Sequence, residues 1–561
     1  MQVTRIARTY RNLKRYRQIL MVLLRYGFGD IIDRIGIGYY IKMGKKIIPR
    51  YKNQEMEKIT TAKRLRLAFE ELGPTFIKFG QILSVRPDLI PAPFILEFQK
   101  LQDDVPPFPS EQAYTVIEKE LGQPASSVFT TFSDEPVAAA SIAQVHRAKT
   151  IDGKSVAVKI QRPGIRKTIE TDISILFDLA ELIDHYIPET EVYNPIGIAH
   201  EFARTIRREL DFTREARNMD RFRRNFKNDT TIYIPDVYWE LTTDQVLTME
   251  FIDGTKVSEF DKLLANGLDK KTIARNGGHS ILKQVFEHGF FHADPHPGNV
   301  MVLSDNVLVP LDYGMMGTID DELRDLLGDL MHGIITKDVT RIIRVFAEIG
   351  IIDDQMDERA LRNEITDFIE RYYQIPLYQL NVELIIGEFS DIVRRHHIQL
   401  PTDFVLMGKV LVIEEGVGRT LDPTFDFITM ARPYIQKLML KRFDPRRHLK
   451  EFTYMLDDMA KLVRVMPVEI KTIMSKIKKG ELNIRFEHRG LQKLILELDR
   501  SSNRLGFSLV IAALIVGSSL VMQLDKGPLL MGYPILGVFG YVIAAFLGLW
   551  LGIAILRSGR L

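Results

Sequence analysis

The chain has 561 residues, of which 46% are hydrophobic, 26% charged and none cysteine. That length suits about three to four domains with a large buried core, and the composition is that of a folded chain, not a disordered, collagen-like or disulfide-stapled one. Without cysteine there is no thiolate nucleophile, Cys–zinc site, iron–sulfur cluster or c-type haem attachment. The net charge of +2 is unevenly spread: residues 1–52 hold 13 Lys/Arg against 2 Asp/Glu, which leaves −9 on the remainder. A basic end on a mildly acidic body predicts an anionic surface as partner.

In chain order, the basic segment 1–54 places Ile6, Tyr10, Leu13, Leu20 and Leu24 at roughly helical spacing, which predicts a helix on a membrane surface or against the body of the protein. Its longest apolar run, Ile19–Leu24, stops at Arg25 and is too short for a signal-peptide core. With two tryptophans and no possible Cys–His finger, nothing else supports nucleic acid as the partner. Residues 55–110 read as a helical extension ending in the proline-rich DDVPPFPS (103–110). In 111–253, Gln144–Thr150 and Lys154–Gln161 flank Asp152-Gly153, a hairpin signal because both turn residues tolerate positive φ. A helix at about 167–187, one long helix from Ile196 to Phe226, and strands at Thr231–Glu240 and Gln245–Phe251 follow. Residues 254–500 read as short strands around a polar loop and then helices, so the body is α+β in two lobes.

Residues 501–561 hold two apolar spans, Gly506–Leu524 and Ile535–Leu556, of 19 and 22 uncharged residues. Each can cross a hydrocarbon layer of roughly 30 Å at about 1.5 Å per residue. Arg500, Arg504, Arg557 and Arg560 flank the outer ends, against Lys526 in the Asp525-Lys526 turn. The charge rule therefore predicts a transmembrane hairpin whose large N-terminal body is cytoplasmic.

There is no G-x-G-x-x-G and no G-x-x-x-x-G-K-[ST], which argues against a dinucleotide enzyme and a P-loop NTPase. Lys159 sits in VAVKI, with Val156, Val158 and Ile160 on one face of the strand and Ala157, Lys159 and Gln161 on the other. A lysine in an apolar strand is costly unless an anion meets it, although an edge-strand lysine reaching solvent has the same pattern. In HADPHPGN, Asp294 lies five residues before Asn299, and Asp312 follows thirteen residues later in LDYG, after strands Val300–Leu303 and Val307–Leu311. That is the spacing of protein-kinase catalytic and metal-binding loops. Asn299 and Asp312 supply hard oxygen ligands for Mg²⁺, Asp294 a carboxylate to orient or deprotonate an acceptor, and Lys159 a cation for ATP phosphates. The long helix offers Glu209, Asp211 and Glu215 to aim the lysine; Asp211, Glu215 and Asn218 share one face. His292 and His296 make H-x-D-x-H, a possible transition-metal pattern, but Pro295 and Pro297 force an extended loop in which histidines that brace the chain are the simpler reading.

With these residues in view, the chain resembles the UbiB family of atypical kinase-like proteins over roughly residues 60–440. KFGQ (78–81) is similar to the family's K-x-G-Q signature, AAASIAQVH (138–146) to the alanine-rich loop that replaces the kinase glycine-rich loop, and ELD (209–211) to E-x-D. The resemblance implies an atypical kinase-like bilobal fold with a helical N-terminal extension, and ATP and Mg²⁺ as cofactors. It implies Asp294, Lys159 and Glu215 as catalytic residues and Asn299 and Asp312 as metal ligands. Ala138, Ala139, Ala140, Ser141, Ala143 and Val145 would form the nucleotide loop, with Glu250 and Ile252 in the hinge MEFID (249–253). Lys78, Gln81, Glu209 and Asp211 would form a regulatory cover over the active site. It further implies a bacterial inner-membrane protein supporting ubiquinone biosynthesis as an ATPase or small-molecule phosphotransferase, with membrane lipids, prenylated quinone precursors and other quinone-biosynthesis proteins as partners. A conventional protein kinase and a non-catalytic, nucleotide-gated lipid scaffold are the other readings. An alanine loop lacks glycine's freedom to take positive φ, and no APE-like segment follows DYG, so docking of a peptide substrate is poorly supported.

Overall fold

The computed structural model describes residues 2–34, 59–84, 86, 89–101, 106–187, 194–349, 357–373, 382–396, 398, 400–441, 491–523, 528–530 and 533–557, with isolated positions between 466 and 478. Part of the basic segment (35–54), the start of the proline-rich stretch, most of the helical region expected at 442–490 and the Asp525-Lys526 turn lie outside the described residues. The chain divides into two compact units, 1–449 and 450–561.

In the first unit, strands β1 (Phe129–Phe132), β2 (Ala138–Ala139), β3 (Ala143–Thr150), β4 (Ser155–Gln161) and β5 (Val246–Glu250) form one antiparallel sheet in the order β1-β3-β4-β5, with β2 on β3. The expected hairpin is β3–β4, and its Gly153 takes φ +80°, which glycine adopts freely. Alternation along β4 sends Val156, Val158 and Ile160 into a core with Ala113 and Ile117 of helix Ser110–Leu121. The opposite face joins Ala157 and Leu247 to Ile206, Phe212 and Met219. Both faces of the sheet are thus covered, and Lys159 is held at a central strand between Val145 and Leu247.

Two sequence expectations need correction. The single helix over Ile196–Phe226 is two helices, Pro195–Glu209 and Phe212–Asn225. The break is at Asp211, whose carboxylate accepts hydrogen bonds from the Thr213 N–H (3.1 Å) and hydroxyl (2.6 Å), so Asp211 caps the second helix instead of riding on it. The expected strand Thr231–Glu240 is reduced to the isolated bridges Ile232–Leu308 and Val237–Met249 and a short 3₁₀ turn, Trp239–Leu241. Pro235 in its middle has no N–H to give a ladder.

The remainder of this unit carries β6 (Thr255–Lys256), β7 (Phe290–His292), β8 (Val300–Val302), β9 (Leu308–Pro310) and β10 (Met316–Thr318), paired as β6-β8-β9 and β7-β10. Around them pack helices Lys270–Leu282, Asp321–Thr336, Val339–Ile349, Glu358–Tyr373, Val382–Arg395, Thr402–Leu421 and Phe427–Lys441. Helices Lys270–Leu282 and Thr402–Leu421 approach closely at Gly277, where a Cβ would collide with the Glu414 carboxylate.

The N-terminal helix Gln2–Arg25 buries Ile19, Leu20 and Val22. Arg15 forks onto Asp172 (2.7 and 2.8 Å) and donates to the Leu72 carbonyl (2.9 Å). The end of the predicted apolar stripe is therefore used against protein. Helices Thr61–Leu72, Pro74–Ser84 and Ala92–Phe98 meet at Phe69, which stacks on Phe98 at 5.2 Å and contacts the rings of Phe76 and Phe79 at 5.8 and 5.7 Å.

In the second unit, helix Leu491–Met522 runs straight through the boundary expected at 500/501; β11 (Leu529–Leu530) pairs with β12 (Tyr533–Pro534), and helix Ile535–Arg557 follows. Segments Ser501–Met522 and Ile535–Gly552, with mean hydropathy 2.3 and 2.1, are long and apolar enough to cross a membrane. They pack on each other where Gly540 meets Ser518 and Gly537 meets Met522.

Candidate functional site

Lys159 reaches Glu215 with both carboxylate oxygens 2.8 Å from Nζ, and Asp312 Oδ1 lies 3.8 Å away. The capped helix Phe212–Asn225 carries Glu215 in its first turn; three positions on, Asn218 Nδ2 donates to the Tyr313 carbonyl at 2.9 Å and so fixes the DYG segment to the same helix. Phe212 lies under the ammonium, 5.4 Å from Nζ to the ring centre. Of the three acids the sequence left open as the lysine's partner, the structure selects Glu215. Asp211 is spent on its cap, and Glu209 pairs instead with Lys78 at 2.8 Å, both side chains largely buried.

The electrostatics follow from this packing. Burial opposes the charge on Lys159, but Asp312 and Glu215 outweigh it and hold the ammonium above the ordinary lysine value. Burial pushes the Glu215 carboxyl above the ordinary carboxylate range, with Lys159 pulling the other way. Burial also opposes ionisation of Asp312, yet Lys159 and the Gly314 N–H, donating at 2.8 Å, bring it to about 2. The Asp312 side chain is half exposed, so its charged carboxylate is open to solvent.

Asp294 stands in the loop between β7 and β8. Ala293 N–H donates to the Met315 carbonyl and Leu311 N–H to the Asn299 carbonyl, both at 2.9 Å, so the backbone knits the Asp294–Asn299 loop to the segment bearing Asp312. The histidines brace this loop, as expected: His292 Nδ1 accepts from the Asp294 N–H (3.1 Å), and His296 Nδ1 accepts from the Gly298 N–H (3.2 Å). Burial lowers the His292 pKa. Among the described residues, no group of three or more His, Asp or Glu could hold a metal by itself. The donors present still fit Mg²⁺, which takes one or two protein oxygens and completes its shell with water and phosphate; Asp312 and Asn299 would supply them.

Sequence reasoning missed Lys409. It projects from helix Thr402–Leu421 and places Nζ 2.9 Å from Asp294 Oδ1. The signal was present, since Lys409 is a lone cation in the apolar run FVLMGKVLVI, the pattern that drew attention to Lys159.

In the alanine-rich segment, Ala138 and Ala139 pair with Val145 and Gln144, and the Ala140 N–H closes on the Ala143 carbonyl at 2.8 Å. Ser141 is fully buried in the bend between them. The hinge follows β5. The Glu250 carboxylate accepts from the Tyr233 hydroxyl (2.6 Å) and the Asp236 N–H (3.3 Å), so its side chain is directed at residues 233–236; Ile252 is buried. Gln81 donates to the Leu101 carbonyl at 3.2 Å, and Lys78, Gln81, Glu209, Asp294 and Asn299 line one cavity.

The described ABC1 atypical kinase-like domain matches residues 100–346, the UbiB helical domain 365–426, and the ABC1/UbiB kinase-like C-terminal domain 489–557. A Clostridium pasteurianum protein, named only as uncharacterized in the hydrogenase 1 5′ region, is 34% identical over 98% of this chain and 99% of its own length. A Xylella fastidiosa protein named "Probable protein kinase UbiB" is 33% identical over 91% of this chain and 94% of its own. A solved Mycobacterium tuberculosis protein, Rv3197 with erythromycin, is 25% identical with TM-score 0.46 over 66% of this chain and 93% of that one.

Proposed function

Because the chain belongs to the ABC1/UbiB family of atypical kinase-like proteins, we propose that it binds MgATP in this cleft and acts at a membrane as an ATPase or small-molecule phosphotransferase that supports ubiquinone biosynthesis. The observation that carries the reading is the convergence of Lys159, Glu215 and Asp312, drawn from a strand, a helix and a loop that the sequence separates by 56 and 153 residues from the lysine. A buried lysine held charged by two acids suits polyphosphate. Asp312 and Asn299 would hold Mg²⁺, which when bound neutralises phosphate charge and aligns the leaving group. Lys159 would orient the α- and β-phosphates. Asp294 would accept the proton of a hydroxyl or water, and Lys409 would fix its carboxylate. Transfer to proteins is disfavoured because helix Pro74–Ser84, through Lys78 and Gln81, shares the cavity that contains Asp294. Membrane attachment rests on Ser501–Met522 and Ile535–Gly552, and their arginine flanks favour a cytoplasmic body.

The test is phosphate release by the full chain in lipid nanodiscs. Asp312→Asn should lower Mg²⁺-dependent turnover about a hundredfold or more, since several kcal/mol of charge stabilisation is lost. In a strain lacking the gene, quinone levels should return with the native chain and not with Asp312→Asn. Full restoration by the mutant would exclude a catalytic role.

A further inference from the structure

A cavity of about 910 Å³ adjoins Asp294 within the first unit. Its charged lining is Lys78, Glu209, Asp294 and Lys409; most of the rest is apolar and includes Leu330, Ile342, Phe346, Ile365, Ile392 and Phe404. These six side chains come from five helices that otherwise bury their apolar faces in one core. Protein interiors pack to a density of about 0.74 with few voids larger than a water molecule, so a space this large is not ordinary packing slack. It lies in the upper part of the roughly 300–1,000 Å³ range of small-molecule sites, and its apolar walls offer water few partners.

The charged lining narrows the class of ligand. Lys78 is paired with Glu209 at 2.8 Å and Lys409 with Asp294 at 2.9 Å, so the four charges sum to zero. An ionic head would have to compete with one of these pairs, whereas a hydroxyl can donate to the half-exposed Asp294 carboxylate while Lys409 stays in place. We infer that the cavity takes the hydrocarbon tail of a neutral, single-chain amphiphile whose hydroxyl head sits at the Asp294–Lys409 pair. This rests on the kinase-like reading only for the meaning of Asp294: the site that receives γ-phosphate chemistry is then also the mouth of a tail pocket, and helix Pro74–Ser84 forms one wall of that mouth.

The probe is hexadecanol with a mid-chain diazirine, photolysed with the full chain in phosphatidylcholine nanodiscs, followed by peptide mapping. Adducts are expected on 342–346, 365–369, 386–393 and 404–412. Unlabelled hexadecanol should suppress them about tenfold more effectively than hexadecyl phosphate or hexadecanoate. Ile386→Trp, which fills the cavity, should lower labelling there about tenfold. Adducts confined to 501–522 and 535–552 would overturn the inference, as would suppression by the anionic lipids as strong as by the alcohol. The wild-type map decides the matter even if Ile386→Trp does not fold. MgATP binding is measured on the same sample: its loss in wild type would sink the nucleotide reading and leave the adduct map standing.

Discussion

Lys409 and Asp294 show what one residue pair does to the chemistry of the cleft. The Asp294 carboxylate is 40% exposed and Lys409 28%, so their contact is partly solvated and of modest strength, yet it fixes where the carboxylate oxygen points. Lys409→Met should therefore leave MgATP affinity nearly intact and lower kcat about tenfold or more, while Lys409→Arg recovers part of the loss. Steady-state kinetics on the three proteins checks this; equal kcat in all would remove Lys409 from the site. The sequence showed Lys159, Asp294, Asn299 and Asp312, because a strand alternation and two short loops fix their relations locally. Helical spacing left Lys159's partner open among three acids, and only the family resemblance pointed to Glu215. That choice depends on the break at Leu210-Asp211, which resets the helical phase and brings Glu215, not Asp211, to the ammonium. Lys409 lies 115 residues from Asp294, and no local period reports such a contact.

At the scale of elements, helix Phe212–Asn225 is the part on which the site depends. It carries Glu215 and Asn218, and one of its orphan N–H groups, that of Thr213, is satisfied by the Asp211 carboxylate. Asp211→Ala should cost about 1 kcal/mol of stability, whereas Asp211→Asn, which caps nearly as well, should cost much less. Thermal or denaturant unfolding of both variants separates a capping role from the regulatory role that the family resemblance implies, since the latter predicts similar defects for Ala and Asn. Helix Pro74–Ser84 makes a different demand. Glu209→Gln removes a carboxylate that meets the largely buried Lys78 and should destabilise the fold, with Lys78→Met restoring much of the loss in the double variant. The hairpin β3–β4 and the helices of 61–98 were legible because turn residues and apolar spacing act over a few positions. The stretch 231–240 was not: its β-rich composition pointed to a strand, but Pro235 and the Glu250 carboxylate take its backbone elsewhere.

Across the whole molecule, strands preceding helices disclosed the two-lobe body, and uncharged runs disclosed the apolar helices, since both are properties of long segments. The cavity was invisible, because most of its apolar wall comes from five helices whose apolar faces read individually as ordinary core. One member of that bundle also sets a global property. Glu414, on helix Thr402–Leu421, is buried beside Gly277, and burial raises its pKa from 4.5 to about 7. Below about pH 4.5 the carboxyl is protonated in both folded and unfolded chains and is neutral in its effect on pH dependence. Between the two values the unfolded chain releases the proton and the folded chain keeps it, so folding binds a proton and stability falls as pH rises. Above about pH 7 the full penalty is present, about 3 kcal/mol. Glu414→Gln keeps the shape and hydrogen-bonding capacity of the protonated acid and removes the titration. The variant should match wild type near pH 4.5 and unfold at a clearly higher temperature at pH 8, with a flatter Tm–pH curve between. Parallel curves for the two proteins would mean that Glu414 has a charged partner in the folded state, and that the helix pair tolerates its ionisation.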